Sequence, residues 1–542
     1  MNKKSFPSKI QLEKILRVSL LGQSVSQALF KPIDIASLVY FRIVFYTIMV
    51  WEALRLIDHD WVERYFSGKD FYFTYWPFDF IHPWSGNGMT IHLPLMAVVA
   101  TYAALGLFYR ASATIFFFMI TYIFLLEKAL YLNHVYLVCL IAFLAIFIPA
   151  HYAFSFDILR QPKQHLSVVP AWSLWLLRFQ VGIPYFFGGI AKINADWLQG
   201  EPLRMWLANH TDFPILGQFF TNEVVLWLMN YGALVFDLLV IFFLLNYRTR
   251  VFAYIVTLIF HFMNSRLFDI GIFPWTMIAV TAIFFEPEWP RRVLHDIRQK
   301  HPSRFPALVG GIVLGFFIGG FLPKEFSWMR AFIGAVGVAI AAYHLDEPFQ
   351  SPEREKMTVE IQPTENASHD KQETSQRLIS NSKLAAKKMT FFFLAIWVTF
   401  QSLIPIRHFF IPGNVSWTEE GHNFSWHMKL RNKEAKGFFI VTDPITGKEW
   451  RINPQKYLTP RQQRKMSTRP HMIVQFAHHL EKLMRDKGYE NVEVRARIIA
   501  SLNGRKYQRL IDPKVDLTTI PYIWWGHGNW ILPLDVPLKK NK

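Results

Sequence analysis

The sequence predicts a polytopic α-helical membrane domain of about eleven helices followed by a small soluble α+β domain. Three observations predict it. Apolar runs near spanning length recur along most of the chain, the charge of the intervening loops alternates, and the C-terminal region turns polar and basic with a hairpin pattern. Of the 542 residues, 52% are hydrophobic and 17% aromatic, and mean hydropathy is +0.18. That composition lies outside the soluble globular average, so lipid is needed to cover the chain.

The apolar runs fall at 35–57, 93–109, 113–126, 135–150, 172–191, 224–245, 251–263, 270–285, 307–321, 329–342 and 389–405. Several are shorter than the ~20 residues of a perpendicular span, and these set the error on the total. Loop charge is an independent check, because Lys and Arg stay on the cytoplasmic side. Lys3, Lys4, Lys9, Lys14, Arg17 and Lys31 precede the first run. Arg110, then Arg160 and Lys163, then Arg248 and Arg250, then Arg291, Arg292, Arg298, Lys300 and Arg304 return on the same side. Asp58, Asp60, Glu63, Asp70 and Asp79 lie on the other. The alternation predicts a cytoplasmic N-terminus and an outer C-terminal domain. The basic, weakly apolar start lacks the h-region of a secretory signal, so the first helix is expected to act as its own insertion signal.

These patterns divide the chain into a membrane domain over 31–290, an amphipathic stretch with an inserted helical hairpin over 291–343, a polar linker over 344–388, a last membrane helix over 389–406 and an outer basic α+β domain over 407–542. Residues 431–542 hold 22 Lys and Arg against 10 Asp and Glu, which is most of the formal net charge of +18. Within them, the alternation from Val492 to Ile498, the Asn503-Gly504 pair and the run from Lys506 to Ile511 predict a hairpin. A second strand pair is expected around Asp443 to Gly447, and 471–487 has helical spacing. The basic surface suits an acidic peptide or anionic lipid headgroups, and its outer placement argues against nucleic acid. Cys139 is the single cysteine, so no intramolecular disulfide can form.

Ionisable residues at membrane depth are functional candidates, because an unpaired one costs several kcal/mol in hydrocarbon. His134 opens the fourth run, Lys192 closes the fifth, His261 lies near the end of the seventh and His408 ends the eleventh. All four are expected at outer helix ends, lining one cavity. Taken singly, such a lysine usually snorkels to headgroups and such a histidine is an ordinary interfacial residue. Burial disfavours the charged form of lysine, and neutral Lys192 is a competent base for a phenol-like proton. Asn133 suits either a ligand oxygen or the cap of its helix. His422 and His427, five apart, are weak metal candidates, and no metal-ligand spacing, phosphate loop or nucleophile elbow occurs.

The order of short motifs resembles the vitamin K-dependent γ-glutamyl carboxylase family. Lys31 to Asp34 with Ser37-Leu38 and Phe41-Arg42, Asn133 to Leu137, Gly189 to Trp197, His261 to Ser265 and Glu288 to Arg291 carry the resemblance through the membrane region. Leu403 to Phe409, Trp417-Thr418, Ser425-Trp426 and Gln508 to Asp516 carry it through the outer one, so it spans roughly 31–290 and 388–535. It implies an enzyme that couples oxidation of vitamin K hydroquinone by O2, giving the epoxide, to addition of CO2 to peptide glutamate, without a metal. The glutamate γ-hydrogen is too weakly acidic for any side chain, so the oxygenated quinol must supply the strong base. By resemblance, Lys192 deprotonates the hydroquinone, His134 serves the carbanion or CO2 step, and Asn133, Met428 and Trp426 hold the quinone. His261, His408, Arg431, Arg505 and Arg509 are supporting or substrate-peptide residues. The implied partners are a Glu-containing peptide, an isoprenoid quinone and membrane lipid.

Three positions depart from the animal members of the family: Ala191 replaces a second lysine, Gly421 a bulky apolar residue and Lys429 a second methionine. These departures suggest a bacterial member, and they leave two alternatives open. One is hydroquinone epoxidation without carboxylation; the other is a non-catalytic membrane protein that binds quinone or peptide.

Overall fold

The structure, a computed structural model, describes residues 24–213, 215–268, 270–300, 369–521 and 526–538. The expected hairpin within 307–343 and most of the polar linker lie outside the described residues. A small ladder pairs β1 (Pro32–Asp34) antiparallel with β2 (Val168–Pro170). Asp34 accepts from the Ala36 amide at 2.7 Å and from Arg291 at 2.9 Å, so the Lys31 to Asp34 motif ties the start of the membrane region to its end.

The longer helices of the membrane region include α1 (Ala36–Asp58), α2 (Gly88–Leu105), α3 (Tyr109–Leu126), α4 (Asn133–Phe147), α5 (Trp172–Lys192), α6 (Glu223–Leu245), α7 (Arg250–Leu267), α8 (Phe273–Thr281) and α9 (His369–Ile406). Six of them are long and apolar enough to cross a membrane among the described residues, namely α1, α2, α3, α5, α6 and the part of α9 from Leu384. α4 and the helical run Phe273–Phe284 are apolar but shorter, and two of the expected runs lie outside the described residues. The spanning windows of α1 and α5 are 72% buried, whereas those of α6 and α9 are 22% and 11% buried. α1 and α5 therefore form the core, and α6 and α9 keep apolar surface such as Val224, Leu228, Phe242 and Phe392 for lipid. α5 and α6 meet closely because Gly189 has no side chain: a Cβ there would lie 2.8 Å from the Leu238 backbone nitrogen. Arg42, in the Phe41-Arg42 motif, is buried and donates to the carbonyls of Ala104, Ala150, Ala153 and Phe154, which closes the free ends of the helices around it.

The outer region is an antiparallel sheet ordered β4-β3-β5-β6, made of β3 (Lys433–Thr442), β4 (Glu449–Ile452), β5 (Glu493–Leu502) and β6 (Gln508–Arg509). α10 (Pro460–Thr468) and α11 (Pro470–Arg485) cover one face. Asn503 and Gly504 both take positive φ at the end of β5, the conformation that favours Asn-Gly in a tight hairpin. Alternate β5 residues Val494, Ala496, Ile498, Ala500 and Leu502 point into the core. Phe73 and Ala129, from loops of the membrane domain, join that core, so the two regions share apolar contacts.

Candidate functional site

The face of α5 that packs against α6 carries Tyr185, Gly188 and Lys192, spaced by whole helical turns. Lys192 and Asp237 of α6 are 6% and 4% exposed, and Lys192 Nζ donates to Asp237 Oδ2 at 2.5 Å. The Gly188 carbonyl is 3.5 Å from the same nitrogen, and the Trp197 ring lies 5.3 Å away. Gly188 makes room here, because a Cβ on it would touch Asp237 Oδ2 at 3.3 Å and Met428 Cε at 3.4 Å. One turn deeper, the Tyr185 hydroxyl is 2.7 Å from His261 Nε2.

His261 was expected at a helix end, but α7 continues to Leu267 and leaves it well inside the helix. Four more residues of the amphipathic run complete the helix, so the outer-end alignment of the four ionisable residues fails for His261. The Phe273 ring stands between two of the candidates, 5.6 Å from His134 and 5.9 Å from His261. Asn133 does not cap its helix: its amide donates to the His427 carbonyl at 3.1 Å, and its oxygen accepts from Tyr131 at 2.8 Å.

That hydrogen bond leads into an irregular segment of the outer region. Glu419, Gly421, Phe424, Trp426 and Lys429 all have positive φ, so 419–429 is a folded coil and neither helix nor strand. Its aromatic residues descend onto the membrane domain, with Trp426 5.2 Å and Phe424 4.9 Å from Tyr136. The coil thereby links the Asn133 amide to Gly188, beside which Met428 and the Trp426 carbonyl lie. Gly421 is pressed against His408: a Cβ would meet the His408 Cβ at 2.7 Å, and φ is +73°. A bulky residue is therefore excluded in this geometry. The Lys429 ammonium lies 4.3 Å from the Phe268 ring.

The coil is rich in polar groups without partners. Both nitrogens of His422, both of His427, Trp426 Nε1 and Glu419 Oε1 are buried with no hydrogen-bond partner among the described residues. Burial holds both histidines well below the usual imidazole value, so they are neutral. The His427 ring is 4.5 Å from His408 and 5.1 Å from His422, but no group of three or more His, Cys, Asp or Glu able to hold a metal occurs among the described residues. Arg431 pairs with Glu419 at 2.6 Å, and Lys433 stands 3.8 Å from the same carboxylate. Burial, opposed by Glu419, pushes the Lys433 amine down to about 7. The Arg469 charge, with burial, pushes Lys465 down to about 6. One acid thus faces Arg431 and amines whose charge is weakened, an arrangement in which an added carboxylate would favour the charged amines.

Two predicted residues stand apart from this cluster. Arg505 is buried and forms a bidentate pair with Asp196 at 2.6 and 2.7 Å, where Asn503 also donates. It joins the two regions, so its guanidinium is not open to an arriving peptide. Arg509 lines an open groove of about 980 Å3 on the outer domain with Lys436, Arg451, Arg497 and Lys514.

Asp237, Tyr185 and the Lys433 group were missed in the sequence. Asp237 carried a signal, an acid inside the apolar run 224–245. Tyr185 and Lys433 carried none, since their role depends on neighbours distant in the chain.

The HTTM domain model matches residues 30–289, and the vitamin K-dependent gamma-carboxylase lumenal domain model matches residues 386–536. The chain belongs to the vitamin K-dependent gamma-carboxylase family. No solved structure matches it. As a carboxylase-family member it is a membrane enzyme with a lumenal-type domain, and the family implies reduced vitamin K, CO2 and O2 as co-substrates and glutamate as acceptor. Lys192, His134 and His261 fall in the first matched region and the 419–431 coil in the second, so the cluster lies where the two carboxylase-family regions meet.

Proposed function

We propose that this chain is a vitamin K-dependent γ-glutamyl carboxylase. Reduced vitamin K, O2, CO2 and peptide glutamate give the vitamin K epoxide, γ-carboxyglutamate and one water. The observation that carries this reading is the Lys192 amine, buried at the end of α5 one turn from Gly188, beside which Met428 and the Trp426 carbonyl of the outer region lie. The surroundings suit a flat aromatic diol: bare backbone at Gly188, an aromatic wall of Trp426, Tyr136 and Phe424, and unpartnered nitrogens on Trp426 and His427. Oxidation of bound vitamin K hydroquinone by O2 would supply the driving force for a base strong enough for the glutamate γ-hydrogen. Lys192 removes the quinol proton at Nζ, Asn133 and the Trp426-to-Met428 segment orient the ring, and the aromatic wall excludes water. His134 serves the CO2 step, with His261 and His408 in support. Arg431 and Lys433 attract the glutamate carboxylate, and the groove with Arg509 receives more of an acidic peptide.

This reading keeps the N-terminus cytoplasmic, about eleven crossings and the outer domain over 407–542. Labelled CO2 tests it. Purified protein, reduced vitamin K, O2 and a Glu-containing peptide should fix label into peptide. Lys192→Ala should lower the rate by about 10²- to 10⁴-fold, the usual contribution of a general base. Full activity in that variant refutes the base. Epoxidation without carboxylation is the second reading, favoured by the unusual Gly421 and Lys429; epoxide formed with no label fixed would establish it.

A further inference from the structure

The assigned base is paired in a way that the reaction has to undo. Within reach of Lys192 Nζ are the Asp237 carboxylate at 2.5 Å and the Gly188 carbonyl at 3.5 Å, and both are acceptors. Nζ therefore donates N–H to both, and an ammonium there cannot take another proton. Before it can act, one proton must leave, and Asp237 is the group in contact that can receive it.

We propose that Asp237 is the positioning residue of the base: it fixes the Lys192 amine and stores the proton that this amine sheds when substrate enters. The inference rests on the reading of Lys192 as the quinol base. In the step itself, an N–H bond of Lys192 breaks and an O–H bond forms on Asp237, with no change in net charge. The freed amine then takes the quinol proton: a quinol O–H bond breaks, an N–H bond forms, and the resulting anion faces a cation beside a neutral acid. Charge therefore balances at each stage, which matters because an uncompensated charge in such a site costs several kcal/mol.

The other titratable groups on elements around the pair are engaged elsewhere. Tyr185 of α5 is bonded to His261 of α7, Asp196 is held by Arg505 and Asn503, and the Lys429 ammonium lies against the Phe268 ring. The i to i+4 step from Gly188 to Lys192 keeps the amine on the α6 side, and the lack of a side chain at Gly188 lets Asp237 approach.

The test uses full-length protein in detergent with lipid. A carboxylate in contact favours the ammonium, so Asp237→Asn should move the acid limb of quinol oxidation to lower pH by about 1 to 3 units. Its maximal rate should fall about tenfold or more, on the scale of acid-base effects. Asp237→Glu should keep the parent limb and recover part of the rate. A parent-like limb and rate in the Asn variant, or identical profiles for Asn and Glu, would overturn the proposal. Should the Asn variant show no turnover, reductive methylation of Lys192 read by mass spectrometry decides: faster modification near neutral pH than in the parent supports the role, and an equal rate overturns it. Lys192→Ala runs beside these arms. Full turnover there removes the base assignment, while the methylation result still reports whether Asp237 holds the amine.

Discussion

Two of the polar contacts between the membrane and outer regions are built to opposite rules. At the Asp196–Arg505 contact, both carboxylate oxygens and both terminal guanidinium nitrogens are matched, with Asn503 as an additional donor. At the 419–431 coil, His422, His427, Trp426 and Glu419 bury polar atoms that have no hydrogen-bond partner among the described residues. A satisfied buried network fixes geometry, whereas an unsatisfied one costs about 1–3 kcal/mol for each polar group. The first contact is thus a lock and the second a site, since a protein keeps such a cost where a ligand can remove it.

The largest effect should come from breaking the lock. Arg505→Ala leaves the Asp196 carboxylate buried without a cation and with only the Asn503 amide, and should destabilise the protein by about 3–5 kcal/mol in denaturant unfolding. A loss under about 1 kcal/mol would mean that the contact is as open as a surface pair. Gly421→Leu comes next, because positive φ and the His408 contact at 2.7 Å both resist a side chain. The strain is worth about 1–3 kcal/mol, and it should appear as lost carboxylation with a shifted coil. Wild-type turnover in that variant would show that the coil can move aside.

Two smaller effects sharpen the comparison on the site side. Lys433, pushed down to about 7, is cationic below that pH and neutral above it. The KM for a Glu-containing peptide should therefore rise as pH increases through about 7, and Lys433→Met should flatten that rise. An unchanged slope in the variant would take Lys433 out of substrate recognition. Last, His422→Phe removes two buried nitrogens that bond to nothing described, so unfolding stability should stay level or gain about 1 kcal/mol while carboxylation falls. A marked loss of stability would place His422 with the lock.

Much of this was legible in the chain. Lys192 stood out because an ammonium at the end of an apolar run is costly, and the basic outer domain because its charge outnumbers its acids. The Asn503-Gly504 turn was legible because few residue pairs accept two positive φ values. His261 was misplaced for a related reason: the polar Asn264, Ser265 and Arg266 read as the end of a span, but backbone hydrogen bonds carry α7 on to Leu267. Arg505 read as a basic residue of an outer surface, and only its partner Asp196, 309 positions away in the chain, makes it a structural tie.

The sequence by itself determined that the chain lies in lipid, that its last part is a charged α+β domain and which family its motifs match. The first two follow from composition and local periodicity, which act over a few residues at a time, and the family from the resemblance of its motifs. Tertiary structure alone decided that Asp237 meets Lys192, that the 419–431 coil bridges Asn133 and Gly188, and which arginine locks the two regions together. Such pairings depend on which helices pack side by side, and a bare glycine at 188 or 189 permits that closeness without naming the neighbour.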